Sequence, residues 1–355
     1  SEESVSKDLE FLSIFLEDGK SYKEEFLSGT ESVGRTEQNI GWAGIRTKYF
    51  MKAISNTNHE SLKCNKVMFT YHDDTNNGWT ENFIYSDIEF QYDNINDNLA
   101  VESYIGPIDT QYLADEKTAH LEQLFGYGWV FIGYLGKGIM WLLMSLHQFI
   151  PNYGVVCILF AVIIRLFTGP LTKKSFIANQ KMQALQPKIK KLQEKYKDDK
   201  QKLSQATMAL YKDEGVNPLG GCLPILVQMP LLIALFQVFR KTIEFRGAEF
   251  LPFWITDLSQ PDIIWAPSFL SNIPLLGYFF KDGLALLPIL MGVVMFLNMK
   301  MTTATAEGPQ KYTMYFMNGF FILLFNTFPS GLNLYYTIYN LLNFIQQRKL
   351  KQLQA

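Results

Sequence analysis

The spacing of apolar positions changes near residue 126. Before that point, β-branched and aromatic residues come in short stretches such as NKVMFTYHDD and NLAVESYIGPID, bounded by Asn, Asp and Gly. This pattern predicts strands, and no apolar run there is long enough to span a bilayer. NIGWAGIRTKYFMKAI breaks the alternation and reads as a short helix or an extended edge. After residue 126, long apolar runs alternate with short polar segments, as in a helical membrane domain.

That second part divides further. Residues 126–150 are amphipathic and aromatic-rich. Trp129 and Trp141 suit a headgroup boundary, and Lys137 and His147 interrupt the apolar run. The segment reads as a helix lying in the interface. Five spans are predicted within 151–350: Asn152–Leu171, Pro218–Val238 with Pro224 and Pro230 inside it, Leu284–Lys300, Tyr312–Phe328 and Gly331–Gln347. Between the first two, residues 172–214 carry apolar stripes at helical spacing: Met182, Leu185, Ile189, Leu192 and Tyr196, then Leu203, Ala206, Leu210 and Tyr211. They predict a helical hairpin of soluble character. Residues 240–283 form a mixed loop.

Charge gives the sidedness. Residues 171–214 hold 11 Lys/Arg and 5 Asp/Glu, a net of +6, so the hairpin is expected in the cytoplasm. Residues 1–125 hold 10 Lys/Arg and 23 Asp/Glu, a net of −13, and are expected outside with the 240–283 loop. The 301–311 loop and the tail QQRKLKQ return to the cytoplasm. The chain begins at Ser1 without a visible signal peptide and reads as a fragment or processed form.

Candidate chemistry is sparse. Cys64, Cys157 and Cys222 suggest no disulfide framework, and His59, His72, His120 and His147 are scattered away from metal-ligand spacing. No metal, cofactor or catalytic constellation is expected, and the acidic residues read as a solvated surface.

Arg165 is the exception, because it sits inside the first span. Its own face runs through Gly154, Ile158, Ala161, Thr168 and Thr172, mostly small or polar, while Val156, Phe160, Ile163 and Phe167 make a bulky opposite face. It lies six residues before Leu171, roughly 9 Å from the cytoplasmic end of its span. The spans contain no acidic residue to pair with it. Polar positions on the other spans are Gln228, Asn318, Asn326, and a stripe of Asn333, Tyr336, Thr337, Asn340 and Asn343. Such residues face a bundle interior or a wet cavity, which predicts a hydrophilic groove open to the cytoplasm and lined by Arg165, Gln228 and the Asn stripe. An arginine that snorkels and locks the bundle is the plainer alternative.

Long strings then carry a resemblance. NYGVVCILFAVIIRLFTGPLTKKSF, the run from MQALQPKIKK to LLIALF, FWITDLSQPD and FPSGLNLYY resemble the membrane core of the YidC family of bacterial membrane protein insertases, over about residues 126–350. GWAGIRTKYFMKAI and YIGPID resemble the later part of that family's periplasmic β-sandwich domain. The resemblance implies a mixed fold: a β-sandwich fragment, an interfacial helix, and five transmembrane helices with a cytoplasmic hairpin. The family's first transmembrane helix and the start of its periplasmic domain are missing here.

It also implies an inner-membrane protein that performs no covalent chemistry and moves hydrophobic segments of nascent membrane proteins into lipid. Arg165 occupies the position of the family's groove arginine, while Leu232, Met291, Leu324 and Tyr336 match its substrate-contacting positions. Ala161 stands where some members have a hydroxyl. The implied partners are nascent membrane proteins, the Sec translocon (SecYEG and SecDF), the ribosome and the lipid bilayer, with no nucleic acid bound directly. A secondary transporter or channel would show internal repeats or broken helices, which are not found. A carbohydrate-active enzyme lacks a paired carboxylate motif.

Overall fold

The computed structural model describes residues 13–17, 22–26, 32–35, 42–56, 66–73, 84–91, 101–108, 130–197, 199–217, 220, 223–267, 269, 277–302 and 309–354. Cys64, Cys222, His59, His120, Trp129, Pro218 and most of the 301–311 loop lie outside them. The chain divides into two compact units, Ser1–Gly126 with Lys241–Ile243, and Tyr127–Arg240 with Glu244–Ala355.

In the first unit, β1 (Ser13–Glu17), β2 (Tyr22–Phe26), β4 (Trp42–Arg46), β5 (Phe50–Asn56) and β8 (Val101–Pro107) form an antiparallel sheet in the order β2-β1-β4-β5-β8. A second antiparallel sheet has the order β3-β6-β7, from Ser32–Arg35, Lys66–Asp73 and Ile84–Gln91. The ambiguous stretch GWAGIRTKYFMKAI is extended: β4 and β5 pair directly, Trp42 opposite Ser55. All five residues of β4 are buried. Phe15 packs edge-on against Trp42 at 4.9 Å. Gly44 is needed there, because a Cβ would stand 2.2 Å from the Phe15 ring.

The second unit is helical. Helix α1 (Val130–His147) buries Ile132, Gly136, Ile139 and Leu143 at steps of four, three and four, and exposes Phe131, Tyr134, Lys137 and Trp141. Helix α2 (Tyr153–Ala184) follows, capped by the Asn152 side chain, which accepts from Val155 N–H. α2 is the one described helix long and apolar enough, by length and composition, to cross a membrane. It does not stop at Leu171. It runs through Pro170 and continues 13 residues past Leu171, through the Lys173–Lys174 pair. Proline removes one backbone donor, yet the apolar partners Phe176 and Leu185 keep the extension packed. The sequence-based hairpin at 172–214 therefore shrinks to α3 (Gln186–Lys195) and α4 (Lys200–Asp213). Leu185, Ile189 and Val216 form its core, flanked by Met182, Leu210 and Tyr211, so the apolar stripes do meet.

Helix α5 is described over Leu223–Lys241, within the expected second span and three residues beyond it. Pro224 lies in the first turn of the described range, and Pro230 interrupts the interior. Helices α6 (Leu286–Thr302) and α7 (Pro309–Phe325) follow. Helix α8 (Ser330–Gln354) continues through the basic tail.

The loop before α6 is built rather than loose. Strands β9 (Ile263–Trp265) and β10 (Leu284–Ala285) pair. Asp262 Oδ2 accepts from the first amides of α6, Leu286 N at 3.1 Å and Leu287 N at 2.8 Å, and from Trp254 Nε1 at 3.2 Å. Ser330 N and Gly331 N, at the start of α8, donate to the Gln260 and Leu258 carbonyls at 2.7 and 3.0 Å. One loop thus satisfies orphan donors at two helix N-termini. Phe250 in the same loop fills the space over Gly154, where a Cβ would meet its ring at 2.2 Å. Gly154→Val is expected to cost about 2 kcal/mol by overpacking. A thermal melt in nanodiscs checks it, and an unchanged midpoint would show that Phe250 swings clear.

Candidate functional site

Arg165 is 6% exposed, and its surroundings come from two helices. On its own helix, Thr172 lies two turns on and accepts from Nη1 at 3.1 Å. From α8, Asn343 Oδ1 accepts from Nη2 at 2.9 Å, and Gln346 Oε1 accepts from the same nitrogen. The Tyr339 ring lies 5.4 Å from the guanidinium carbon, within cation–π reach. Tyr339, Asn343 and Gln346 step by four and three, one face of α8.

Supporting bonds hold these acceptors. Thr172 donates to Thr168 O at 2.8 Å, and Thr168 Oγ1 lies 3.1 Å from Tyr339 Oη. Asn343 Oδ1 also accepts from Gln347 Nε2 at 3.2 Å. Each acceptor of Arg165 is a neutral amide or hydroxyl, so dipoles rather than a counter-ion solvate the charge. Its Nε has no hydrogen-bond partner among the described residues.

The small face of α2 does not open onto empty space. Gly154, Ala161, Arg165 and Thr172 are all buried, with Phe250 over Gly154 and α8 over Arg165. The bulky face is split instead. Val156 and Phe160 are buried, Phe160 against Tyr335 at 5.4 Å, whereas Phe167 is 80% exposed.

Of the residues expected to share the site, the structure joins Arg165 to Asn343 and places Ala161 one turn away on the same buried face. Gln228 on α5 lies beside the Tyr335 and Tyr336 hydroxyls. That approach falls short of hydrogen-bond geometry, leaving Gln228 Nε2 and both buried hydroxyls without a partner among the described residues.

Asn333 goes elsewhere: fully buried, it donates to the Phe325 and Phe328 carbonyls at 3.1 and 3.2 Å and ties the turn between α7 and α8. Asn340 donates to Tyr336 O at 2.8 Å, while its own carbonyl accepts from Asn298 on α6 at 3.1 Å. Asn326, just beyond α7, anchors the loop before α6. Met291 is fully buried, and Leu232 and Leu324 are half-buried. The exposed flank of α6 is Leu290, Val293 and Leu297. Sequence reasoning missed Tyr339 and Gln346; continuing the stripe from Asn343 by minus four and plus three finds both.

Residues 145–355 match the family described as 60Kd inner membrane protein, and residues 5–142 match the YidC periplasmic domain. The membrane protein insertase YidC of Chloroherpeton thalassium is 37% identical over 347 residues, covering 94% of this chain and 57% of that one. That of Chlorobium luteolum is 37% identical over 339 residues, covering 93% and 53%. That of Prosthecochloris aestuarii is 39% identical over 318 residues, covering 88% and 52%. A solved active YidC insertase with its first transmembrane domain resolved superposes with a TM-score of 0.46 at 18% identity, covering 94% of this chain and 82% of that one. The chain spans about half the length of the curated relatives it matches. The chain belongs to the YidC family of 60Kd inner membrane proteins.

Proposed function

We propose that the chain inserts nascent membrane proteins into the lipid bilayer, the activity for which its relatives are named. The observation that carries this reading is Arg165: a buried charge in the long apolar helix, solvated among the described residues by neutral dipoles. Such a charge is costly in hydrocarbon and is a functional site by default. It can attract a carboxylate of an entering segment without making a covalent bond. The transporter alternative gains no comparable support.

In this reading α2, α5, α6, α7 and α8 are the five spans. The 17 residues of α6 and of α7 rise about 26 Å, which suits a slightly thinned bilayer. Residues 126–150 lie in the interface, 151–350 form the insertase core, and 1–125 are the later part of a periplasmic β-sandwich. The helical hairpin and the C-terminus face the cytoplasm, and the 240–283 loop faces the periplasm. Segments enter beside Arg165, Ala161 and Gln228 and leave past Leu232, Leu324 and Tyr336. Met291, Asn333 and Asn340 act as the frame behind that path. The Sec translocon and the ribosome are its partners in this scheme.

Arg165→Ala tests it. Insertion of a single-span substrate with an acidic translocated tail into proteoliposomes is expected to fall about tenfold, the loss of one charge-assisted contact. Unchanged insertion would remove Arg165 from the mechanism.

A further inference from the structure

The three hydrogen-bond acceptors on Arg165 are not equally fixed. Thr172 is held by its own bond to Thr168 O at 2.8 Å and by a short side chain. Asn343 shares its oxygen with Gln347 at 3.2 Å. Gln346 is the loosest. Like Asn343 it is half-buried, but its side chain is the longest of the three and its amide makes one long bond to Gly169 O at 3.3 Å. Its three side-chain torsions let it swing away while its backbone stays in α8. It also lies beyond Asn343 toward the C-terminal end of α8, the cytoplasmic end in the reading above.

A neutral amide on a guanidinium is a weak occupant. A carboxylate in its place makes a charge-assisted bond, roughly twice as strong as the neutral one. The exchange moves no proton and breaks no covalent bond. One hydrogen bond from Nη2 passes from Gln346 Oε1 to the incoming oxygen, while Thr172 and Asn343 keep theirs.

We propose that Gln346 is the exchangeable resident ligand of Arg165, displaced by a carboxylate of the inserting segment, and that it thereby sets the preference for acidic tails. This rests on the insertase reading above. It predicts that a fixed negative charge at position 346 occupies the site permanently. Thr172, Asn343 and Tyr339 then remain as positioning residues.

The test compares two single-span substrates that differ only in an acidic or a neutral translocated tail. The readout is the ratio of their insertion into proteoliposomes containing the protein. Gln346→Glu is expected to lower that ratio about tenfold. Should this variant not fold, Gln346→Cys supplies the charge after folding, in a background where Cys64, Cys157 and Cys222 are replaced by alanine. Its reaction with a sulfonate-bearing thiol reagent should lower the ratio, and reaction with a neutral methyl reagent should keep it within about twofold. Equal loss for both tails, or no loss with either anionic group, overturns the proposal. Arg165→Ala runs alongside. If it spares acidic tails, the role of Arg165 fails; if it does not and position 346 is silent, this inference alone fails.

Discussion

Replacing Asn326 with alanine is expected to destabilise the helical unit by about 3 kcal/mol or more. The side chain is 4% exposed and makes three hydrogen bonds at once. Its oxygen accepts from Ala285 N at 2.9 Å, and its amide donates to Phe279 O at 2.8 Å and Gly283 O at 2.7 Å. These bonds pin the end of α7 to the segment that feeds α6. Gly283 has φ +117, a conformation that favours glycine, and a Cβ there would stand 2.7 Å from Ala266. Alanine would strand one N–H and two carbonyls away from water, each at about 1–3 kcal/mol. Asn326→Asp keeps the acceptor but loses both donors and buries a charge, so it should be no better. A thermal melt in nanodiscs should show a loss of several degrees. An unshifted midpoint would mean that water replaces the amide.

The same residue shows where sequence reading stops. Asn326, Asn333, Asn340 and Asn343 look alike in the sequence as polar positions in apolar helices. Periodicity places a residue on a face. It does not say which backbone carbonyls lie free opposite that face. Asn333 serves carbonyls at the end of α7 and in the turn after it, and Asn326 serves carbonyls in the segment before α6. Asn343 alone of the four reaches Arg165.

Patterns that depend on neighbours in sequence were legible. The hairpin stripes put Leu185 and Ile189 on one apolar face, and both pack with Val216 in a small core. Arg165 was legible from composition alone, because a charge in an apolar run needs no tertiary information to stand out. The length of α2 was not. Pro170 and two lysines look like an ending, but packing of Phe176 and Leu185 carries the helix past them. Gln346 was hidden for a related reason: it falls in what reads as a polar tail, where glutamine is ordinary.

Asp262, in a loop whose sequence gives no helical or strand period, is the second large effect. Desolvation by burial pushes its carboxyl from the ordinary 3.8 up to about 6. Hydrogen bonds from Leu287, Trp254 and Leu286 pull the other way and do not win. The geometry agrees. Oδ2 takes the three donors, while Oδ1 is buried with no partner among the described residues and is the oxygen free to hold a proton.

The sign follows from linkage. In the unfolded chain the carboxyl titrates near 3.8, so between that pH and about 6 the folded chain holds a proton that the unfolded chain does not. Stability contributed by this group is full below 3.8 and is lost as pH rises through about 6. The whole swing is about 3 kcal/mol, from about two pKa units at 1.36 kcal/mol each. Melts at pH 7.5, 6 and 5 should therefore show the wild type gaining stability on acidification, relative to Asp262→Asn. That variant keeps an acceptor for the α6 amides and has nothing to titrate. Asp262→Ala strands Leu287 N–H and Trp254 Nε1 and leaves Leu286 N–H only its long bond to the backbone carbonyl of residue 262 at 3.4 Å, and should lose about 3 kcal/mol. Parallel pH profiles for wild type and Asp262→Asn would show that the proton sits elsewhere. The loop would then be held by its hydrogen bonds alone.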